Sequence, residues 1–223
     1  MYRRTALRSA GVLGAVGSLA GCLGGLGGSN PNVTLAEPDR RFESDDVPYP
    51  AWGERIPNVT LRAPLDDREL RLRDAEEPGL LTFFYSHCNT VCPVLISTLR
   101  NVQTHAGNNG YEDGVAFFPV TFDPARDTAT RLRTYADEMH VDAAAGNWHF
   151  LRPGSKDRAK AVVEEQFGVA FRRTEPEEMD MYMFSHGALT LLVNAEGYVE
   201  RAYRSKSPSE ETIIEDLEAV RTA

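Results

Sequence analysis

The chain has 223 residues, of which 42% are hydrophobic and 26% charged, and a formal net charge of −9 at pH 7. A chain this acidic is excluded from roles that rest on attraction to nucleic acid phosphates, and three cysteines are too few for a disulfide-stapled scaffold. The composition is that of a globular domain large enough to bury its own core.

The chain opens with an export signal over residues 1–22. Arg3 and Arg4 precede an apolar, small-residue run from Ala10 to Ala20 that is too short to span a bilayer. The paired arginines, with Leu7 close by, point to the twin-arginine route. Leu19, Ala20, Gly21 and Cys22 resemble a lipobox, in which the cysteine is lipidated and becomes the new N-terminus. The alternative is a short membrane anchor or uncleaved signal. Either places the body at the outer face of the cytoplasmic membrane, held there through a lipid on Cys22 in the first case. Without residues 1–22 there are 21 basic and 33 acidic residues, a net charge of −12. The basic residues are almost all arginine, with Lys156, Lys160 and Lys206 the exceptions. This suits a protein kept soluble in high salt, although a GC-rich genome gives the same bias.

Residues 23–52 read as a flexible tether, first glycine-rich and then rich in Pro, Asp, Glu and Arg with no apolar period. The segment PNVTL occurs at Pro31 to Leu35 and again at Pro57 to Leu61, too short a repeat to define an architecture. Asn32 and Asn58 each begin an N-x-T glycan-acceptor pattern.

A folded domain is expected over 53–223. Val59 to Arg62 and Glu69 to Arg73 form a hairpin about Asp66 and Asp67. Leu80 to Tyr85, a continuous apolar run after Pro78 and Gly79, reads as a central strand covered on both faces. Past Cys92, Leu95, Ile96, Leu99 and Val102 make one face of a helix, with Pro93 at its first position and Cys92 at its N-cap. There the helix dipole should ease ionisation of the Cys92 thiol, with Cys88 in the loop before it. Val115 to Phe122 is a second apolar strand, and Asp127 caps a helix bearing Leu132, Tyr135, Ala136 and Met139. Trp148 to Leu151 is a short strand, and Ser155 caps a helix with Ala159, Val162, Val163 and Phe167. Ala188 to Val193 and Tyr198 to Tyr203 form a hairpin across Ala195, Glu196 and Gly197. Ser207, Pro208 and Glu210 make the capping box of a final helix carrying Ile213, Leu217 and Val220.

With Cys22 set aside, Cys88 and Cys92 form a pair at the first strand-to-helix junction. A structural bridge across so small a loop stabilises little, so the pair reads as functional. The order βα, βα, β-hairpin, α with cysteines at that junction is the layout of a thioredoxin-like α/β fold with an added N-terminal β-hairpin, except that three residues separate the cysteines instead of two. Two thiolates suit Cu(I), and an imidazole extends the set to Cu(II); zinc accepts the same donors, but a closed structural zinc site takes four. His87 adjoins Cys88 but should point away from it at the strand end, and His105, His140 and His149 read as surface or packing residues. Spacing alone leaves His186 open between a loop hydrogen bond and a ligand role.

FYSHCNTVCP at Phe84 to Pro93, TFDPARDT at Thr121 to Thr128, and His186 ahead of ALTLLVN together resemble the Sco/SenC proteins, membrane-tethered copper proteins of cytochrome oxidase assembly. The resemblance extends over about residues 57–221. It implies Cys88, Cys92 and His186 as copper ligands, with Asp123 at most a supporting residue. It further implies a metallochaperone whose partner is the oxidase subunit bearing the binuclear copper centre. The alternative it leaves is an enzyme, a thiol-disulfide oxidoreductase that reduces the cysteines of that centre. Asn89 and Thr90 depart from the family pattern, in which many members carry proline after the first cysteine and an acidic residue further along; neither position is a ligand.

Overall fold

The computed structural model describes residues 30–177 and 180–223. The export signal and Cys22 therefore lie outside the described residues.

Two short strands, β1 (Thr60–Ala63) and β2 (Arg68–Arg71), form the expected N-terminal hairpin, with Leu61 and Ala63 of β1 turned into the core. The central strand β3 (Gly79–Phe84) is buried at every position, as an almost wholly apolar run requires of a strand covered on both faces, and its one polar side chain, Thr82, donates to Leu189 O at 3.1 Å. It leads through residues 85–90 into helix α1 (Val91–Asn108), whose buried face includes Leu95, Ile96, Leu99 and Val102. Strand β4 (Ala116–Thr121) runs parallel to β3, and α2 (Ala129–Glu138) follows it. A short helix α3 (Lys156–Ala159) continues as a π-helical stretch over Lys160–Gln166. Strands β5 (Phe171–Thr174) and β6 (Met183–His186) make a second hairpin outside the main sheet. Strand β7 (Thr190–Val193) pairs antiparallel with β3, and β8 (Val199–Tyr203) pairs antiparallel with β7. Helix α4 (Glu210–Arg221) closes the chain. The main sheet has the order β4-β3-β7-β8, the thioredoxin-like arrangement expected of the element order. No helix of the described residues is long and apolar enough to cross a membrane.

Several local readings are corrected. Helix α1 starts two residues early: Thr90 is its N-cap, and Cys92 and Pro93 are its second and third residues. Proline is tolerated there because the first-turn N–H groups have no intrahelical partner in any case. Helix α2 is capped by Thr128, whose side chain accepts from Arg131 N, while Asp127 is fully buried. Helix α4 is capped by Ser209, which accepts from Thr212 N, and not by Ser207. Residues 148–151 form only isolated parallel bridges to β4, Phe117 to Trp148 and Val120 to Leu151. Pro119 lies between those two positions of β4 and has no N–H, so the ladder is interrupted there.

The largest correction concerns the tether. Residues 30–52, expected to be flexible, lie against the domain. Glu200 on β8, fully buried, accepts from Thr34 N (3.0 and 3.1 Å), Leu35 N (2.9 Å) and Asn194 Nδ2 (2.8 Å). Trp52 Nε1 donates to Leu35 O at 2.9 Å, and Tyr49 and Ala51 join the core. Gly53 and Gly168 both have positive φ, and a Cβ on either collides with the strap, on Asn30 and on the Pro48 backbone respectively. No apolar period announces this packing, because the buried side chains Tyr49 and Ala51 are few and the rest of the hold comes through backbone and polar contacts.

Candidate metal centre

The end of β3 places Tyr85 to Cys88 at the edge of the sheet, and the start of α1 returns Cys92 beneath Cys88. Thr90 makes no side-chain cap bond. Its hydroxyl lies 3.5 Å from Cys88 Sγ, and Cys92 N donates to the same sulfur at 3.4 Å. Sulfur thus occupies the place of a capping oxygen, and the anion favoured by the helix N-terminus belongs on Cys88. This reverses the expectation for Cys92. The Cys88 thiol is held well below its ordinary value, first by the hydrogen bond from the Cys92 thiol and then by bonds from Thr90 and the Cys92 N–H, which outweigh burial. Burial pushes the Cys92 thiol up, and the neighbouring Cys88 adds to the effect. Both cysteines are free, both are buried, and Cys92 is wholly inaccessible.

His186 reaches this pair from β6. It ends a strand whose partner, Phe171, faces it across the β5–β6 hairpin, so it stands on a strand and not in a loop. Its Nδ1 lies 2.8 Å from Gly187 O and its Nε2 3.3 Å from Cys92 Sγ. A carbonyl only accepts, so Nδ1 carries the proton and the Nε2 lone pair is directed to the sulfurs, the tautomer a metal ligand needs. Cys88, Cys92 and His186 each offer one ligand atom, and these atoms lie within 4.8 Å of one another. It is the one such group of His, Cys, Asp and Glu side chains among the described residues. Two sulfurs and one imidazole suit a soft or borderline ion, and three donors leave a position open for an incoming ligand.

Aromatic rings hold the imidazole in place. Phe122, Tyr85 and Phe184 pack around one another, and the His186 ring centroid lies 5.0 Å from that of Phe122 and 6.0 Å from that of Tyr85. Tyr85 also receives Phe184 N at 3.2 Å, and burial pushes its hydroxyl up to about 12. The apolar pattern of β3 marked Tyr85 as core but gave no sign that it lines the site.

Asp123 stands behind the hairpin and outside the donor group. Its carboxylate accepts from Arg126 Nε (2.5 Å) and Tyr182 OH (2.9 Å), and Arg126 Nη1 donates to Tyr182 O at 2.8 Å. These contacts pin the chain entering β6 at Tyr182, four residues before His186. Asp127, taken in sequence for a cap, instead accepts from Ser86 N (3.1 Å), Ser86 Oγ (2.5 Å) and the Thr121 hydroxyl. Arg131 clamps Ser86 from the other side, through Nε to Oγ at 2.9 Å and Nη2 to the carbonyl at 2.8 Å. The backbone two residues before Cys88 is thereby fixed.

The other histidines stay apart from this cluster. His87 Nδ1 lies 3.2 Å from Ser86 Oγ and 3.7 Å from Asp127 Oδ1. His105 meets Tyr111 OH at 2.6 Å, and His149, buried, meets Asp66 Oδ2 at 2.9 Å and stacks on Phe118.

A sequence model of the family described as SCO1/SenC matches residues 73–222. The SCO2-like protein of Rickettsia conorii is 26% identical over 134 residues, 59% of this chain and 61% of that protein. The chain thus spans about three fifths of the length of that curated relative. The structure of Arabidopsis thaliana ScoI with copper bound superposes with a TM-score of 0.61 at 22% identity, covering 74% of this chain and 97% of that one. A SCO1/SenC family lipoprotein from Bacillus anthracis gives a TM-score of 0.62 at 20% identity, covering 76% and 95%.

Proposed function

We propose, on the premise that the chain belongs to the SCO1/SenC family, that it is a copper-binding metallochaperone delivering copper to the binuclear copper centre of a cytochrome oxidase subunit. The observation that carries this reading is the convergence of Cys88 Sγ, Cys92 Sγ and the His186 imidazole within 4.8 Å. The relative of similar fold from Arabidopsis thaliana holds copper, which supports the same ion here. Copper is the cargo. The two sulfurs satisfy Cu(I), and the imidazole completes a set that also accepts Cu(II). The open position lets a partner's ligand enter before the sulfurs let go. Asp123, Arg126 and Tyr182 hold β6 so that the imidazole stays aimed at the sulfurs, and Asp127 with Arg131 holds the Cys88 loop. Cys88 gives up its proton more readily than Cys92, whose proton metal entry has to displace.

The attachment of the protein to the outer face of the cytoplasmic membrane through lipidated Cys22, after export by the twin-arginine route, belongs to the same proposal. It is supported by the lipobox-like residues Leu19 to Cys22. A Cys22→Ser chain should be released after signal processing; one that remains tethered would overturn the assignment.

A second reading, a thiol-disulfide oxidoreductase acting on the cysteines of the same centre, is favoured by the unequal thiols. A lowered, slightly accessible Cys88 beside a buried, raised Cys92 is the pairing of an attacking and a resolving cysteine. His186→Ala separates the two. A chaperone loses Cu(II) binding and support of the oxidase, whereas a reductase keeps its exchange rate and that support. Full oxidase activity in a deletion strain carrying His186→Ala at limiting copper would decide for the reductase.

A further inference from the structure

The docked strap fixes where the chain leaves the domain, and that point lies at the end of the sheet opposite the thiols. Asn30 Nδ2 donates to Gly53 O at 3.2 Å, Gly53 N to Val199 O at 2.9 Å, and Asn194 Nδ2 to Asn32 O at 2.8 Å. Asn194 directly follows Val193, which pairs with Gly79, the first residue of β3. Cys88 follows Phe84, the last residue of β3. The six-residue strand alone therefore separates the strap's exit from the metal centre by about 17 Å along the sheet.

We propose that the end of the domain bearing the β7–β8 turn and Asn30 faces the lipid surface, and that the end bearing Cys88, Cys92 and His186 faces away from it. This rests on the reading of Cys22 as the lipid attachment. Seven residues stand between Cys22 and Asn30, so whatever its conformation this stretch reaches at most about 29 Å. Turning the metal centre to the bilayer demands that Asn30 be lifted by the length of the sheet and its flanking loops, which consumes most of that reach. With a free tether of the length first expected, ending at Trp52, no such preference exists. The preference arises because Glu200, Gly53 and Gly168 take residues 30–52 out of the tether. The membrane-facing end carries Glu76 and Glu196 beside Arg55 and Arg221, so it is not a basic patch that seeks anionic lipid by itself. The covalent attachment and the short reach orient the protein. The consequence is that a partner receives its metal above the membrane surface, from the solvent side.

The test uses the full lipid-bearing chain with Cys88→Ser and Cys92→Ser, reconstituted in vesicles containing a headgroup-quencher lipid. A single fluorophore is attached through Glu196→Cys or Asn89→Cys, both exposed positions. Quenching at position 196 should exceed that at 89 roughly threefold or more, given a separation comparable to the tether's reach. Equal or reversed quenching in protein that floats with the vesicles overturns the orientation. Protein that fails to float overturns the anchoring itself, a separate outcome. Insertion of a long Gly/Ser segment after Ser29 leaves the domain untouched and should bring the two labels toward equality. A difference that survives this insertion unchanged overturns the role given to the tether.

Discussion

At the level of single residues, the centre depends on groups that hold the ligands more than on the ligands' own spacing. Asp127 is fully buried and takes three donors, two of them from Ser86. In Asp127→Ala these donors lose their acceptor, at a cost of about 3 kcal/mol by the usual penalty for stranded buried polar groups. Urea denaturation measures it, and a change below about 1 kcal/mol contradicts the placement. The thiols give a second prediction. The folded-state value of Cys88 is depressed, so its contribution to stability is present above the unfolded thiol value and declines as pH falls toward the folded one. Cys92 is shifted the other way and contributes stability that is lost as pH rises. In reduced, metal-free protein, iodoacetamide should label Cys88 at a rate nearly constant from pH 6 to 8, as thiolate reactivity requires. Cys92 should stay unlabelled, and peptide mass spectrometry distinguishes the two. Faster labelling of Cys92 reverses the assignment. The sequence placed a thiolate at the helix N-terminus correctly, but a two-residue shift of the cap transferred it from one cysteine to the other.

Among the elements, those with a strong apolar period were legible and those held by polar contacts were not. Strand β3, helix α1 and the β7–β8 hairpin follow from their hydrophobic patterns. The β5–β6 hairpin does not, because Phe171–Thr174 carries two arginines and a threonine and its strands are only partly buried. Its formation is decided by tertiary contacts, Phe171 stacking on Phe122 at 4.9 Å and Asp123 gripping Tyr182. His186 was thus found by a motif while the strand that carries it was missed. The strap over 30–52 is hidden for a related reason: only Tyr49 and Ala51 of it join the core, and Glu200 and the two glycines that receive it lie outside the strap. Gly168→Ala forces a Cβ against the Pro48 backbone at positive φ, and should destabilise the domain by about 1–3 kcal/mol. Limited proteolysis should then cut first within residues 30–52. Wild-type resistance in this variant would mean that the strap is held without that contact.

Across the whole molecule, the centre joins parts that the sheet does not. Cys88 and Cys92 belong to the β3–α1 junction, whereas His186 belongs to a hairpin outside the main sheet. A metal held by all three ties the hairpin to the core, so binding to the native state should appear as added stability. At a free-metal level about a thousandfold above Kd, linkage gives about 4 kcal/mol, which for a domain of this size raises Tm by roughly 8–16 °C. The gain should depend on oxidation state and on His186. Two thiolates alone hold Cu(I) in linear coordination, so His186→Ala should retain much of the Cu(I) shift. Cu(II) needs the imidazole, so the same variant should lose nearly all of its Cu(II) shift. Calorimetry on anaerobically loaded Cu(I) protein and on the Cu(II) form compares them directly. The double variant Cys88→Ser/Cys92→Ser should show no shift with either ion. Equal losses for Cu(I) and Cu(II) in His186→Ala would mean that the imidazole shapes the thiol pair and not the metal's coordination, and the three-donor centre would have to be abandoned.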